Sequence, residues 1–188
     1  MLFPALFYIA WDALFTARGI WSFNEKYVSG ISYFGLPLEE ILFFFVVPYC
    51  CLFIYECIRC YFPQIKSNGF SVNFIRLLAI LSFAACFFFF DKEYTFYTCL
   101  FLSIALLIFS LFRHFFSELN TTVFLLAYAI ILIPFLIVNG FLTAMPVVLY
   151  NNAENTAIRI YSIPAEDIFY GMLLFFLNAL LYEKFRSR

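Results

Sequence analysis

The chain has 188 residues, of which 65% are hydrophobic, with a mean hydropathy of +0.96 and a formal net charge of −1. Soluble domains are nearer half apolar, so this composition excludes an ordinary soluble protein. The balanced charge offers no basic surface, and we expect no nucleic-acid partner. The composition therefore predicts an integral membrane protein.

Six apolar segments are candidates for crossing the bilayer, which takes about 20 helical residues. In chain order they are residues 2–17, 38–62, 72–90, 94–112, 122–144 and 164–184. An even number of spans puts both termini on one side, together with seven Lys and Arg residues: Arg59, Lys66, Arg76, Arg113, Lys184, Arg186 and Arg188. The other four lie opposite, so both termini are expected in the cytoplasm. The sequence predicts an all-α, multi-pass bundle of six transmembrane helices in the cytoplasmic membrane.

The two ends of the chain resemble each other. A shift of 127 residues aligns 12–59 with 139–186 without a gap. The identities fall mainly on polar and proline positions, such as Pro37 with Pro164. Because the first span aligns with the fifth and the second with the sixth, the two repeats are expected to run in parallel around an axis along the membrane normal.

The repeat also predicts how the chain is divided. We assign a first repeat to residues 1–62, a connecting span to 63–93 and a second repeat to 94–188. The fourth span has no partner in the first repeat. The first repeat is therefore expected to lack one N-terminal helix.

A pair of adjacent acidic residues opens the second and the sixth span. The two motifs read Leu36-Pro37-Leu38-Glu39-Glu40 and Ile163-Pro164-Ala165-Glu166-Asp167. Acids at a helix start can simply complement the helix dipole. Acids on a membrane helix are costly, however, and a protonated carboxyl in an apolar site can act as a general acid. The repetition favours function, so we predict catalytic roles for Glu39, Glu40, Glu166 and Asp167.

Asp12 and Asn139 lie at equivalent positions of the repeat, near the ends of the first and fifth spans. The predicted topology places them in the same membrane half as the acidic motifs, so all six polar groups are expected to converge on one cleft. An alternative for Asp12 is an interfacial acid near Arg18. Glu56 and Glu183 belong to the opposite interface, each with an arginine three residues later as an ion-pair partner.

The sequence offers no cofactor or metal motif. Cys57 and Cys60 form a lone C-x-x-C, whereas a zinc site normally needs four nitrogen or sulfur ligands. No G-x-G-x-x-G is present, which argues against a flavin or nicotinamide site of the Rossmann type. An aspartate-rich motif for a diphosphate and Mg²⁺ is absent as well. The chemistry that remains is proton transfer without a tightly bound cofactor.

At this point the motifs resemble a known family, the membrane carotenoid (lycopene) cyclases, which are heterodimeric in some bacteria and fused in archaea and fungi. Its first half is matched by Trp11-Asp12, Gly19-Ile20-Trp21-Ser22-Phe23-Asn24, Leu36-Pro37-Leu38-Glu39-Glu40 and Tyr55-Glu56. Its second half is matched by Asn151-Asn152-Ala153-Glu154-Asn155, Ile158-Arg159 and the run from Ile163 to Gly171. The usual family form has seven helices, so we expect the natural protein to start upstream.

The resemblance implies a fused lycopene β-cyclase, a non-redox isomerase (intramolecular lyase) that turns the ψ end of lycopene into a β ring, giving γ- and β-carotene. Glu39 or Glu166 is then the acid, and Glu40 or Asp167 the base. Five residues beside them are expected to bind substrate: Trp11, Asp12, Phe43, Asn139 and Tyr170. Expected partners are lycopene and related carotenoids, membrane lipid and other carotenoid enzymes, with no flavin or nicotinamide.

Other functions fit parts of the same pattern. An ε-ring or C50 cyclase, or a hydratase that captures the same cation with water, would use the same acids. A small proton-coupled transporter would need a water-filled path, for which these spans offer few Ser, Thr or Gly residues. A non-catalytic membrane scaffold would tolerate replacement of the acids.

Overall fold

A computed structural model describes residues 1–186 of the chain, and helices dominate it. The helices are α1 (Leu2–Ala17), α2 (Leu38–Tyr61), α3 (Gly69–Phe88), α4 (Glu93–Leu111), α5 (Thr121–Ala144) and α6 (Glu166–Arg186). The predicted all-α membrane bundle is confirmed: within the described residues, the five helices α2 to α6 are long and apolar enough to cross a membrane. Helix α1 is a shorter apolar helix of 16 residues, about 24 Å long. Arg188, which was counted among the cytoplasmic charges, and the end of the predicted second repeat lie outside the described residues.

Two helices begin at residues other than those predicted, each for a local reason. Helix α3 begins three residues earlier than hydropathy indicates, because Asn68 accepts a hydrogen bond from the backbone of Ser71 and Ser71 caps Asn68 in return. Helix α6 begins two residues later than predicted, because Pro164 belongs to a short strand. Polar residues at the membrane boundary therefore set the ends of the helices, and the apolar run sets their length.

The long connections after α1 and α5 fold back over one end of the bundle and form three two-stranded sheets. They comprise β1 (Trp21–Phe23) with β4 (Val148–Tyr150), β2 (Ser32–Tyr33) with β3 (Leu36–Pro37), and β5 (Arg159–Ile160) with β6 (Ile163–Pro164). Each of the last two is a hairpin that leads directly into a helix carrying an acidic pair. The β1–β4 sheet joins the two connections to each other.

The contacts of the two connections correspond under the 127-residue shift. Ser32 pairs with Pro37 in one hairpin, and Arg159 pairs with Pro164 in the other. The turn residues Phe34 and Tyr161 have positive φ values of 56° and 60°. Backbone bonds from Asn24 N to Val147 O and from Asn151 N to Ile20 O, both 2.9 Å, likewise exchange under the shift.

A cluster of charges closes α2 against α6 at the opposite end of the bundle. The predicted pairs within each helix are present, with Arg59–Glu56 at 2.6 Å and Arg186–Glu183 at 3.8 Å. Each arginine also reaches across, with Arg59–Glu183 at 3.2 Å and Arg186–Glu56 at 3.4 Å. Tyr55 donates a 2.7 Å hydrogen bond to the buried Glu183. These four charges therefore hold two helices together, far from the acidic motifs.

Candidate active site

A small cavity of about 70 Å³ lies beneath the β1–β4 sheet, at the end of the bundle that carries the acidic motifs. Three carboxyl groups line it, those of Asp12, Glu40 and Asp167, together with the Asn139 amide. The rest of its wall is mostly aromatic: Trp21, Phe23, Phe43, Tyr94, Phe135, Tyr150 and Tyr170. Five helices and two strands thus supply acids and rings to one cavity.

Asp167 is the most heavily hydrogen-bonded of these carboxyls. Its Oδ1 accepts a 2.5 Å bond from the Tyr94 hydroxyl. Its Oδ2 accepts bonds from the Asn139 amide at 2.8 Å and from the Tyr150 hydroxyl at 2.9 Å. Three donors from α4, α5 and β4 therefore converge on one side chain of α6, which fixes its orientation.

Tyr150 lies on the loop side of the cavity. Burial raises the pKa of its phenol well above the usual value of about 10, and the neighbouring Asp167 carboxylate raises that pKa further. The hydroxyl therefore stays protonated at any pH at which the protein is handled. It remains a donor to Asp167 throughout.

Glu40 occupies the position equivalent to Asp167 under the 127-residue shift, but its surroundings differ. Asp167 has Asn139 and Tyr150 beside it. The equivalent residues in the first half of the chain are Asp12 and Phe23, respectively. Asp12 is 2% exposed, and its Oδ2 atom has no hydrogen-bond partner among the described residues. In the first half of the chain an acid, Asp12, thus takes the place that an amide donor, Asn139, takes beside Asp167.

Glu39 and Glu166 do not line this cavity, so the expectation that all six polar groups converge is wrong for these two. Glu39 is exposed and accepts a 2.7 Å bond from the backbone N–H of Ser29. Glu166 is 4% exposed and accepts 2.7 Å bonds from the Thr156 backbone and the Thr95 hydroxyl. Adjacent helical residues lie about 100° apart around the helix axis, and here the second acid of each pair faces the cavity while the first does not. The first acid of each pair instead holds the loop that precedes it.

The predicted substrate-binding residues divide as well. Asp12, Phe43, Asn139 and Tyr170 line the cavity, whereas Trp11 does not. Trp11 is buried behind Tyr170, with ring centroids 5.0 Å apart, and contacts Phe101 of α4 at 4.8 Å. It therefore supports a ring of the cavity wall.

Tyr94 and Tyr150 line the cavity but were not predicted from the sequence. Tyr94 opens the span that has no partner in the first repeat, and Tyr150 lies in a loop, so neither periodicity nor the repeat marks them. Trp21 was noted only within a motif, yet it lines the cavity, and its buried Nε1 has no hydrogen-bond partner among the described residues. Within residues 1–186, no three His, Cys, Asp or Glu side chains are placed to hold a metal ion.

The fold and the cavity are those of a multi-pass membrane protein with three carboxyl groups in a cavity whose wall is mostly aromatic. The sequence profile of the lycopene cyclase family matches residues 1–58 and 91–185, so the chain belongs to that family. The lycopene beta-cyclases of Halobacterium salinarum strains R1 and NRC-1 are each 48% identical to it over 46 residues. That alignment covers 24% of this chain and only 19% of either relative. No solved structure matches the chain.

Proposed function

We propose that the protein is a carotenoid cyclase of the lycopene β-cyclase type, which closes a six-membered ring at the ψ end of lycopene by acid-initiated isomerisation. The observation that carries the proposal is the convergence of Asp12, Glu40 and Asp167 in one aromatic cavity. Carboxyls can deliver and remove a proton, and aromatic faces attract a cation. Membership of the lycopene cyclase family supports the same reaction class.

The proposed reaction begins with proton transfer from the Glu40–Asp12 pair to C2 of the terminal C1=C2 double bond. The resulting C1 cation is attacked by the C5=C6 double bond, which forms the C1–C6 bond and moves the cation to C5. Removal of the C6 proton by Asp167 then restores the double bond between C5 and C6. One proton enters and one leaves, so substrate and product are isomers and the reaction needs no redox cofactor.

The two sides of the cavity support this division of roles. Asp167 accepts three hydrogen bonds, an arrangement that suits a carboxylate acting as a base. Glu40 lines the cavity together with Asp12, and interacting carboxyls titrate together and can share a proton. The acid is therefore assigned to the Glu40–Asp12 pair, in place of Glu39 or Glu166.

The β specificity follows from which proton the base removes. Loss of the C6 proton gives a β ring, and loss of a C4 proton gives an ε ring. We assign the β type because the two relatives aligned over 46 residues are both lycopene beta-cyclases. Lycopene and related carotenoids are the proposed substrates, within the lipid of the membrane.

We also propose that the two halves are parallel repeats around an axis along the membrane normal, with residues 1–62 and 94–188 as the repeats and 63–93 as a connecting span. The matched hairpins and the exchanged backbone bonds between the two connections support this arrangement. We propose the cytoplasmic membrane as the location, with both termini cytoplasmic. Fusion of a reporter to each terminus tests the orientation, and reporters on opposite sides would contradict it.

Expression in a lycopene-accumulating host tests the proposed function. The expected pigments are γ- and β-carotene, and growth in deuterated water should place one deuterium at C2 of each ring formed. ε rings would contradict the β assignment, and hydrated products would indicate water capture. Accumulation of lycopene alone, with the protein present in the membrane, would refute the cyclase.

A further inference from the structure

An apolar groove of about 210 Å³ runs between α2 and α5 and leads to the acidic cavity. Four residues line both spaces: Phe43, Phe135, Asn139 and Leu142. Away from the cavity the groove is lined by aliphatic side chains and cysteines of the two helices, including Val47, Cys50, Ile54, Ile131 and Val138. Cys50 and Val138 are exposed on the lipid-facing side of the bundle. The groove therefore connects the bilayer to the carboxyls.

The equivalent position on the other side of the bundle, between α1 and α6, is filled by aromatic rings. Under the 127-residue shift, Phe135 and Val138 of α5 correspond to Tyr8 and Trp11 of α1. Val138 is 57% exposed, whereas Trp11 is 4% exposed. Tyr8 and Trp11 pack against Tyr170, with ring centroids 4.8 and 5.0 Å apart. Only one of the two equivalent paths is open among the described residues.

Proline occurs in both helices that border the open groove. Pro48 lies inside α2 and Pro134 inside α5, and their counterparts in α6 and α1 are Phe175 and Phe7. Proline removes one helical hydrogen bond and kinks its helix at the preceding turn. The two sides therefore differ in sequence at the helix positions that border the groove.

We infer that this groove binds the extended polyene chain of a carotenoid while one end of the molecule lies among the acids. The inference rests on the proposed function and adds to it the substrate's path and orientation. An apolar conjugated hydrocarbon needs no polar partner along its length, and the groove walls are almost entirely apolar. The part of the chain beyond the groove extends into the bilayer.

A single open path limits the protein to one end of its substrate at a time. The first ring is therefore made in one binding event, and a second ring requires the product to leave, reverse and bind again. The one-ring carotenoid is then a released intermediate. It should exchange with carotenoid in the membrane before the second ring forms.

The substitution Val138→Trp tests the path, because it places in the open groove the residue that fills the closed one. Ile137→Trp is the matched control, since Ile137 lies next to it on α5, is also 57% exposed and does not line the groove. In membranes containing equal amounts of each protein, Val138→Trp should lower the initial rate of ring formation at least about tenfold, equivalent to 1.4 kcal/mol. Ile137→Trp should stay close to the wild type.

The outcomes separate the two proposals. If the wild type forms no ring, the proposed function fails. If the wild type is active and both variants match it, or both are equally impaired, the groove is not the path. A photoreactive benzoylphenylalanine at position 138, but not at 137, should also cross-link to lycopene in the non-cycling Asp167→Asn background, and equal cross-linking at both positions would contradict the inference.

Exchange of the intermediate is measured with isotopically labelled lycopene. When an excess of unlabelled γ-carotene is added during turnover, label should accumulate in γ-carotene and be diluted in β-carotene. Undiluted label in β-carotene would show that both rings form in one binding event, and it would overturn the single-path inference.

Discussion

The Tyr94 hydroxyl donates a 2.5 Å hydrogen bond to Asp167, and this contact joins α4 to α6 at the wall of the cavity. Helix α4 has no counterpart in the first half of the chain, so Glu40 has no equivalent donor. Phe23 and Asp12 replace the other two donors on that side. A nearly repeated backbone thus creates two unlike environments, which is what separate acid and base roles require.

Neutral amides at the cavity carboxyls should abolish most turnover. Asp167→Asn and Glu40→Gln keep the size of the side chain but cannot exchange a proton with the substrate. The rate of ring formation should fall by at least about 10²-fold, the low end for general acid–base catalysis. Pigment analysis, normalised to the amount of each protein in the membrane, measures the effect. Near-normal turnover in both variants would remove these residues from the chemistry.

Glu39→Gln is the matched control for Glu40→Gln, because the two residues are adjacent. Glu39 is exposed and accepts a hydrogen bond from the Ser29 backbone, which an amide oxygen can still accept. Turnover should therefore stay within about threefold of the wild type, since an exposed acid at a helix start has only a weak effect and Glu39 does not line the cavity. A loss as large as that of Glu40→Gln would restore Glu39 as the acid.

Glu166→Gln should affect stability more than chemistry. The Glu166 side chain is buried and holds both the Thr156 backbone and the Thr95 hydroxyl. Weakening these bonds should cost about 1–3 kcal/mol, the usual penalty when a buried polar group loses its partner. Thermal unfolding in detergent should show a lower Tm, while turnover per folded molecule is retained. An unchanged Tm with lost turnover would indicate a catalytic role.

Tyr150→Phe removes one of the three donors to Asp167. A hydrogen bond to a charged group is worth about 1.5–3 kcal/mol, so the rate should fall by about tenfold or more. Because the pKa of Tyr150 is raised above its usual value, the hydroxyl is protonated in the wild type at about pH 6 and at about pH 9 alike. The ratio of variant to wild-type rates should therefore be the same at both values. A ratio that approaches one at the higher pH would mean that Tyr150 ionises.

The placement of Glu40, Asp167, Asp12 and Asn139 could be predicted from the sequence, because the repeat and the even shift put them in the same membrane half. Which acid of each pair faces inward could not be predicted. The helices are apolar on every side, so no polar face indicates the inward direction. The donors Tyr94 and Tyr150 come from a span and a loop that the repeat does not mark, and their contacts exist only in the folded chain.

The pairing of β1 with β4 links segments that are more than 120 residues apart in the chain. Contacts between such distant segments form late, because the intervening chain must first be in place. During synthesis, Asp12 and Glu40 therefore enter the membrane well before β4 and α6 exist to cover them. The cavity is complete only when the last helix is inserted, so the proposed proton transfer has to wait until β4 and α6 are in place.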